Sequence, residues 1–220
     1  MFYELSTTVV LEMTQREKHP DTKRVGRPID YQRRADLLDA LVDFASDHGF
    51  AELSWRPIAS TLGVSPTTLV HHFGTKVQML EAIQGRLRER MVLGVRELAG
   101  EQPDLPTAVR TVWTRASDPE HGAEFRLFFA IYGRALQDPD QFSDFLEHVV
   151  ADWMGALHDT QEHDSDPATA TRTATLIIAT IRGLLLDLLA TGDHTRVQDA
   201  AESFIATLEP SAKRQVKTDA

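Results

Sequence analysis

The side chains best suited to contact a phosphate-bearing partner cluster within residues 54–76. Threonine offers a hydroxyl and a methyl group to base edges, and histidine can donate to or accept from a base or a phosphate. Arginine and lysine add positive charge for phosphate oxygens. The candidates of these types are Ser54, Arg56, Thr67, Thr68, His71, His72 and Lys76. Their chemistry indicates contact with nucleic acid.

Two short helices are needed to position these candidates. Ser54 is a favourable N-cap, because its hydroxyl can accept from an N–H of the first turn. Ile58, Ala59 and Leu62 then share one apolar face. Gly63 follows where the chain must adopt a positive φ, which costs glycine no clash. We therefore expect the first helix to end in a tight turn at Gly63.

The second helix begins with its own cap. Ser65 is the cap, and Pro66 takes the first helical position, where its missing N–H removes no hydrogen bond. Leu69 and Phe73 are four residues apart and should face inward, which leaves outward Pro66, Thr67, Val70 and His71. This layout predicts a helix-turn-helix, whose second helix enters the major groove of DNA.

The stretch from Ile58 to Lys76 resembles the amino-terminal domain of the TetR (tetracycline-repressor) family of transcription regulators. The matching residues are Ile58, Ala59, Leu62, Gly63, Val64, Ser65, Thr68, Leu69, His72, Phe73 and Lys76. The resemblance implies DNA contacts at Trp55, Arg56, Pro66, Thr67, Thr68, His71, His72 and Lys76, to which we add Ser54 and Ser65. Trp55 has packing as its alternative role. The pattern departs at Val70, where the family usually has a tyrosine that contacts phosphate.

Composition excludes several classes of protein. The 220 residues are 42% hydrophobic and 25% charged, which is typical of a globular protein, and they contain no cysteine for disulfides or thiolate metal sites. Neither GxSxG nor HExxH occurs, and adjacent histidines on a helix point too far apart to chelate one ion. We therefore expect no catalytic residues, no metal and no cofactor. The amino terminus lacks a basic signal-peptide region, and the run Thr175–Ala190 is too short and too charged for a membrane span, which predicts a cytoplasmic protein.

Charge is distributed unevenly along the chain. The net charge is −10, yet residues 1–80 carry 9 Lys/Arg against 10 Asp/Glu. Residues 16–34 hold seven basic side chains against three acidic ones. A basic end on an acidic body would orient the protein on DNA. Residues 1–28 are interpreted as a basic arm, in which Arg27 of a Gly-Arg-Pro segment is the candidate for DNA contact; a solvated tail is the alternative. Met13 is a second possible translation start.

Every segment beyond residue 28 has a helical rather than a strand period, so we predict an all-α protein. The predicted helices beside the two short ones are Tyr31–His48, Lys76–Leu98, Thr107–Ser117, Glu120–Leu136, Gln141–His158, Ala168–Thr191 and Thr195–Leu208. The predicted domains are a flexible basic arm (1–28), a three-helix helix-turn-helix DNA-binding domain (29–76) and a larger helical effector-binding and dimerisation domain (77–220).

The resemblance also implies a homodimer that forms through the last two helices. The penultimate helix is apolar around much of its circumference, so it must be covered on more than one side. Pairing with its symmetry copy would give a four-helix bundle, and packing within one chain is the alternative. The candidate dimerisation residues are Ile181, Leu185, Leu188, Leu189, Ala201, Phe204, Ile205 and Leu208.

An effector site is expected among the aromatic residues of the second domain. Large apolar rings with a few polar groups line small-molecule pockets, although they also line any helical core. The candidates are Trp113, Phe125, Phe128, Phe129, Tyr132, Trp153 and, as a polar anchor, Arg182.

The leading hypothesis is a dimeric repressor that a small-molecule effector of unknown identity releases from a palindromic operator in double-stranded DNA. A DNA-binding regulator without small-molecule control is the first alternative. An α-helical enzyme is the second alternative, and the absence of catalytic motifs argues against it.

Overall fold

A computed structural model describes residues 30–49, 53–99, 103–158, 160 and 166–209, and for residues 94–99 it describes the backbone. Its helices are α1 (Tyr31–His48), α2 (Trp55–Thr61), α3 (Pro66–Phe73), α4 (Lys76–Ala99), α5 (Leu105–Ser117), α6 (Gly122–Gln137), α7 (Ser143–His158), α8 (Pro167–Thr191) and α9 (His194–Thr207). These described ranges contain no strand, and the all-α prediction is confirmed. The predicted arm, with Arg27, lies outside the described residues.

The helix ends differ from the predicted ones where an aspartate acts as a cap. Helix α5 begins two residues early, because the carboxylate of Asp104 accepts from the N–H of Thr107 at 3.0 Å. Helix α6 begins two residues late, because Asp118 accepts from the N–H of Glu120 at 2.9 Å and closes a separate 3-10 turn over Pro119–His121. An aspartate cap with a proline in the first turn therefore sets where the α-helix begins, two residues away from the start that the apolar repeat predicts.

Helices α1, α2 and α3 pack into a small unit around buried Leu41, Ile58, Leu69 and Phe73. The long helix α4 leaves this unit and continues into the rest of the chain, where it contacts α5, α6 and α7 while still touching α1. Buried Met79 and Ile83 near its start join the two parts into one hydrophobic cluster. A shift of α4 would therefore change the packing both of the unit formed by α1, α2 and α3 and of the helices that follow.

Helix α8 lies in the middle of the carboxyl-terminal part, against α5, α6, α7 and α9. In the described part of the chain it is the one helix long and apolar enough to cross a membrane, with a mean hydropathy of 1.7. The helix was predicted as Ala168–Thr191 and begins one residue earlier, because Asp166 caps it by accepting from the N–H of Thr169 at 3.0 Å. A core helix meets the same test, and α8 packs on four neighbours, so its length does not indicate a membrane span.

Candidate nucleic-acid interface and ligand cavity

Helices α2 and α3 meet at a turn built on Gly63, whose φ is +64°. The N–H of Gly63 donates to the carbonyl of Ser60 at 3.4 Å, and that of Val64 to Ala59 at 3.0 Å, which closes the end of α2. Any other residue type would be strained at this φ. The predicted turn at Gly63 is confirmed. The predicted cap bond of Ser54 is wrong: its backbone has the extended N-cap conformation, but its exposed side chain accepts no hydrogen bond from α2.

The start of α3 is organised by Ser65, whose hydroxyl oxygen accepts from the N–H of Thr68 at 3.0 Å. The same oxygen lies 2.8 Å from the Thr68 hydroxyl. Pro66 occupies the first helical position, as the sequence predicts. Thr68 is therefore half-buried with its hydroxyl engaged locally, which leaves the neighbouring Thr67 as the exposed threonine.

The outward side of α3 presents Thr67, Val70 and His71, all of which are exposed. Val70 exposes 46% of its surface although it is apolar. Thr67 and His71 are four residues apart and so lie above one another on the same side. Leu69 and Phe73 are buried on the opposite side, as predicted. A two-faced helix of this kind can enter a groove with its polar side while its apolar side stays in the core.

The structure places His72 away from this exposed side. The residue is 8% exposed, and its Nδ1 is buried without a hydrogen-bond partner among the described residues. Burial lowers the pKa of His72, and the charges of His71 and Arg33 lower it further. The guanidinium of Arg34 donates from Nε to the His72 carbonyl at 3.2 Å and lies 5.2 Å from the centre of the Phe73 ring. His72 and Arg34 thus hold α1 against the end of α3.

The flanking candidates divide into exposed cations and one packed ring. Arg56 and Lys76 are exposed, and neither pairs with a carboxylate that the structure describes. Trp55 is half-buried against the hydrophobic cluster, which favours its packing role. Lys76 stands at the first position of α4, where unpaired backbone N–H groups add positive potential. The exposed surface of Ser54, Arg56, Ser65, Pro66, Thr67, Val70, His71 and Lys76 is hereafter the reading surface.

The position of Lys76 is set by two reciprocal hydrogen bonds. The N–H of Thr75 donates to Oε1 of Gln78 at 2.9 Å, and the N–H of Gln78 donates to the Thr75 hydroxyl at 3.2 Å. This is a capping box at the start of α4. Gly74 precedes it with φ of +70°, and a Cβ there would lie 2.2 Å from Gln78 Oε1. The chain therefore turns sharply between α3 and α4 with Lys76 beside the end of α3.

An ion-pair network that sequence reasoning missed joins α1 to α4 and α6. Asp39 accepts from Arg86 at 2.8 and 2.9 Å and from Nε and Nη2 of Arg90 at 2.9 and 2.8 Å. Arg90 also donates to Asp43 at 2.6 Å and to Glu124 at 3.4 Å. The sequence contained a signal for this network, because α1 carries its two acidic residues and α4 its two basic residues four positions apart, on one face of each helix.

The network makes the stability contribution of Asp39 depend on pH. Hydrogen bonds from Arg86 and then Arg90 hold the pKa of Asp39 below its usual value, against the opposing effect of burial. A carboxylate with a lowered folded-state pKa stabilises the protein above its unfolded-state pKa, and this contribution is lost as the pH falls through the folded-state pKa.

Asp39→Asn should therefore destabilise the protein at neutral pH, and its deficit relative to the wild type should shrink below about pH 4. Urea unfolding at a series of pH values measures this difference. Asp47→Asn is the matched control, because Asp47 lies exposed on the same helix. A deficit that stays constant down to about pH 2 would show that the charge of Asp39 is not what stabilises the fold.

A cavity of about 40 Å³ lies between α4, α5, α6, α7 and α8. Its wall contains five predicted ligand residues, Phe125, Phe128, Phe129, Trp153 and Arg182. The structure does not place Trp113 or Tyr132 in the wall. The indole of Trp113 is buried and donates to Gln198 of α9 at 2.7 Å, so this residue ties two helices together. The wall residues that sequence reasoning missed are Met91, Val112, Arg115, Ala116, Leu157, Ile177, Ile178, Ile181 and Leu185.

Most predicted dimerisation residues face the chain's own core. Ile181, Leu185, Leu188, Ala201 and Ile205 are each at most 6% exposed, which leaves Leu189, Phe204 and Leu208 half-buried. The outward side of α8 carries other residues. Leu176 is 64% exposed and Leu186 52% exposed, and they share this side with Ala179, Gly183 and Ala190. This set of five is hereafter the outer face of α8.

Residues 37–83 match the family model described as bacterial regulatory proteins, tetR family. The chain is 28% identical to the HTH-type transcriptional regulator BetI of Rhizobium meliloti (strain 1021), over 48% of this chain and 61% of that protein. It is 34% identical to the HTH-type transcriptional regulator UidR of Escherichia coli (strain K12), over 29% of this chain and 33% of that protein. The chain thus spans less than two thirds of the length of these curated relatives.

The fold also has a counterpart among solved structures. A transcriptional regulator (RHA1_ro04179) from Rhodococcus sp. Rha1 has a TM-score of 0.66 and 22% identity to this chain. The match covers 80% of this chain and 95% of the other. At this identity the likeness establishes a shared helical fold.

Proposed function

The chain belongs to the TetR family of bacterial regulatory proteins, and from this premise we propose that it is a cytoplasmic homodimeric repressor that a small-molecule effector releases from a palindromic operator. Residues 29–76 would form its DNA-binding domain and residues 77–220 its effector-binding and dimerisation domain. The observation that carries the proposal is the two-faced helix α3, with Thr67 and His71 exposed above a buried Leu69 and Phe73.

The reading surface has the chemistry that such a role requires. Thr67 and His71 would read base edges in the major groove, while Arg56 and Lys76 would hold the phosphates on either side. Val70 supplies methyl groups where relatives have a phosphate-binding tyrosine, and apolar contact with a thymine methyl is the natural use of that position. His72 is left out of the surface because it is buried.

Two copies would associate through the outer face of α8 and the adjacent side of α9. Exposed leucines beside alanines and a glycine let two helices approach closely, and half-buried Phe204 of α9 extends the apolar area. A two-fold dimer then presents two copies of α3 to half-sites about 34 Å apart along the DNA.

Release would depend on α4, which lines the cavity through Met91 and reaches α1 through Arg86 and Arg90. A ligand of ordinary size needs roughly 300 Å³ or more, so it would have to part the helices around a cavity of about 40 Å³. Parting these helices would shift α4 and, through the ion pairs, the reading surface. By linkage, DNA and effector must weaken each other's binding equally.

A regulator without small-molecule control is the second candidate, and the small volume of the cavity favours it. The two candidates share the reading surface and differ in whether any ligand changes DNA affinity.

Fluorescence anisotropy on the duplex upstream of the protein's own gene, against a scrambled duplex, tests the DNA-binding role. We expect His71→Ala to reduce the preference for the operator by about 1–3 kcal/mol, because one base contact is lost. Lys76→Ala is the matched control: it should weaken binding to both duplexes about equally and lower the salt slope by about 1. A His71→Ala protein that retains the full preference would contradict the assignment of the reading surface.

A further inference from the structure

Among the residues that the structure describes, two arginines are the only charged members of an otherwise apolar cavity wall. The other twelve wall residues are aliphatic or aromatic, and no aspartate or glutamate is among them. The charge of Arg115 has a counter-charge, because its Nη2 lies 3.9 Å from the carboxylate of Glu124. Its Nη1 also lies 2.9 Å from Nε2 of His121. Arg182 has no such balance. Within the described ranges, no carboxylate lies within 4 Å of its guanidinium.

Arg182 is instead held by neutral groups. Its Nη2 donates to the carbonyl of Val149 on α7, and its guanidinium carbon lies 5.5 and 5.4 Å from the ring centres of Phe128 and Tyr132. Burial lowers the pKa of Arg182, and Tyr132 opposes this effect only in part. Arg182 is half-buried, and a charge that is partly withdrawn from water without a counter-charge is costly, so an anion supplied from outside would offset that cost.

The aromatic rings do not form a cage for a cationic ligand. The two rings nearest Arg182 already carry its guanidinium, and a second cation would meet two arginines and no carboxylate. A neutral ligand would leave Arg182 as it is. A carboxylate fits better, because the planar guanidinium can donate two parallel hydrogen bonds to its two oxygens.

Arg115 adds a second donor toward the same kind of group. Its Nε is buried and has no hydrogen-bond partner among the described residues. The apolar remainder of the wall, from Val112 on α5 to Ile178 on α8, suits a hydrocarbon or aryl body. The narrow volume of about 40 Å³ favours a slender one.

We propose that the effector of this cavity is a slender amphipathic carboxylate, whose carboxylate binds Arg182 and whose apolar body lies among the aromatic and aliphatic wall residues. The proposal rests on the proposed function, because it names the class of ligand for the same cavity.

The first test uses the wild-type protein and three bodies that differ only in head group. Decanoate, hexanoate and 4-phenylbutyrate are each compared with the matching primary amide and primary amine, by thermal unfolding and isothermal titration calorimetry. At least one carboxylate is expected to raise the melting temperature and to bind about 10- to 100-fold more tightly than its amide, with the amine weakest. Equal binding of an amide or amine, or no binding by any carboxylate, overturns the proposal.

Variants locate the head group. Arg182→Met should lose the preference for carboxylate over amide, and Arg182→Lys should retain part of it because the charge remains. Arg172→Met is the control, since it removes the same charge from an exposed position of α8 outside the cavity. An Arg182→Met protein that keeps the preference overturns the proposal; if that variant fails to fold, Arg182→Lys and the wild-type series still decide it.

DNA binding separates this proposal from the proposed function. If a carboxylate binds through Arg182 but leaves the anisotropy titration on the operator unchanged, the ligand class stands and effector-driven release is wrong. If the operator is bound specifically and an amide competes equally with its carboxylate, the DNA-binding role stands and the ligand class is wrong.

Discussion

Leu186→Glu is expected to convert the proposed homodimer to monomers and to weaken operator binding by about 10²–10⁴-fold. Leu186 is 52% exposed on the outer face of α8, where it would be covered by the second copy. A buried, unpaired carboxylate in that contact is strongly unfavourable. Once the copies separate, the second reading surface no longer benefits from the high effective concentration that a dimer provides. Light scattering measures the mass, and anisotropy measures the affinity.

The chain offers a matched control for this substitution. Leu136 on α6 is 68% exposed and lies off the outer face, so Leu136→Glu should leave both mass and affinity unchanged. Gly183 gives an independent check, because a Cβ there meets nothing within 4 Å in the single chain. A helix-interior glycine costs about 0.5–1 kcal/mol relative to alanine, and close approach of a second helix would explain its presence. A dimeric Leu186→Glu protein with normal operator affinity would place the interface elsewhere.

Arg90→Met is expected to lower the free energy of unfolding by about 1–3 kcal/mol. The substitution leaves Asp39, Asp43 and Glu124 without a shared cation, and removing one member of a buried pair costs about 3–5 kcal/mol. We reduce that range because the groups are partly solvated, with 18% of the Arg90 side chain and 33% of Asp39 exposed. Urea unfolding measures the loss.

The same variant should also loosen the proposed DNA-binding domain. Arg90 holds α1 against α4, so amide hydrogen exchange should accelerate in α1. Arg88→Met is the control, because Arg88 also lies on α4 but pairs with Asp152 and Asp144 of α7. It should accelerate exchange in α7 and leave α1 protected. Exchange in α1 that is the same in both variants would mean that the network does not couple the two parts.

The sequence by itself determined the features that depend on neighbours within one turn of helix. The turn at Gly63, the cap at Ser65 and the proline at the start of α3 each follow from local backbone chemistry. The bounds of α1 and the all-α class follow from apolar periodicity, which any stable helix must present to a core. The inward Leu69 and Phe73 follow from the same rule.

The tertiary structure decided what depends on residues far apart in the chain. Asp39 meets Arg86 and Arg90 across 47 and 51 positions, and Trp113 is withdrawn from the cavity by Gln198, 85 positions away. Helix α8 is apolar on several sides, so its pattern could not show that Leu185 turns to the core while Leu186 stays exposed. Helical periodicity predicts that a face of a helix will be covered. Which face is covered, and which residues cover it, depends on the helices that pack against it.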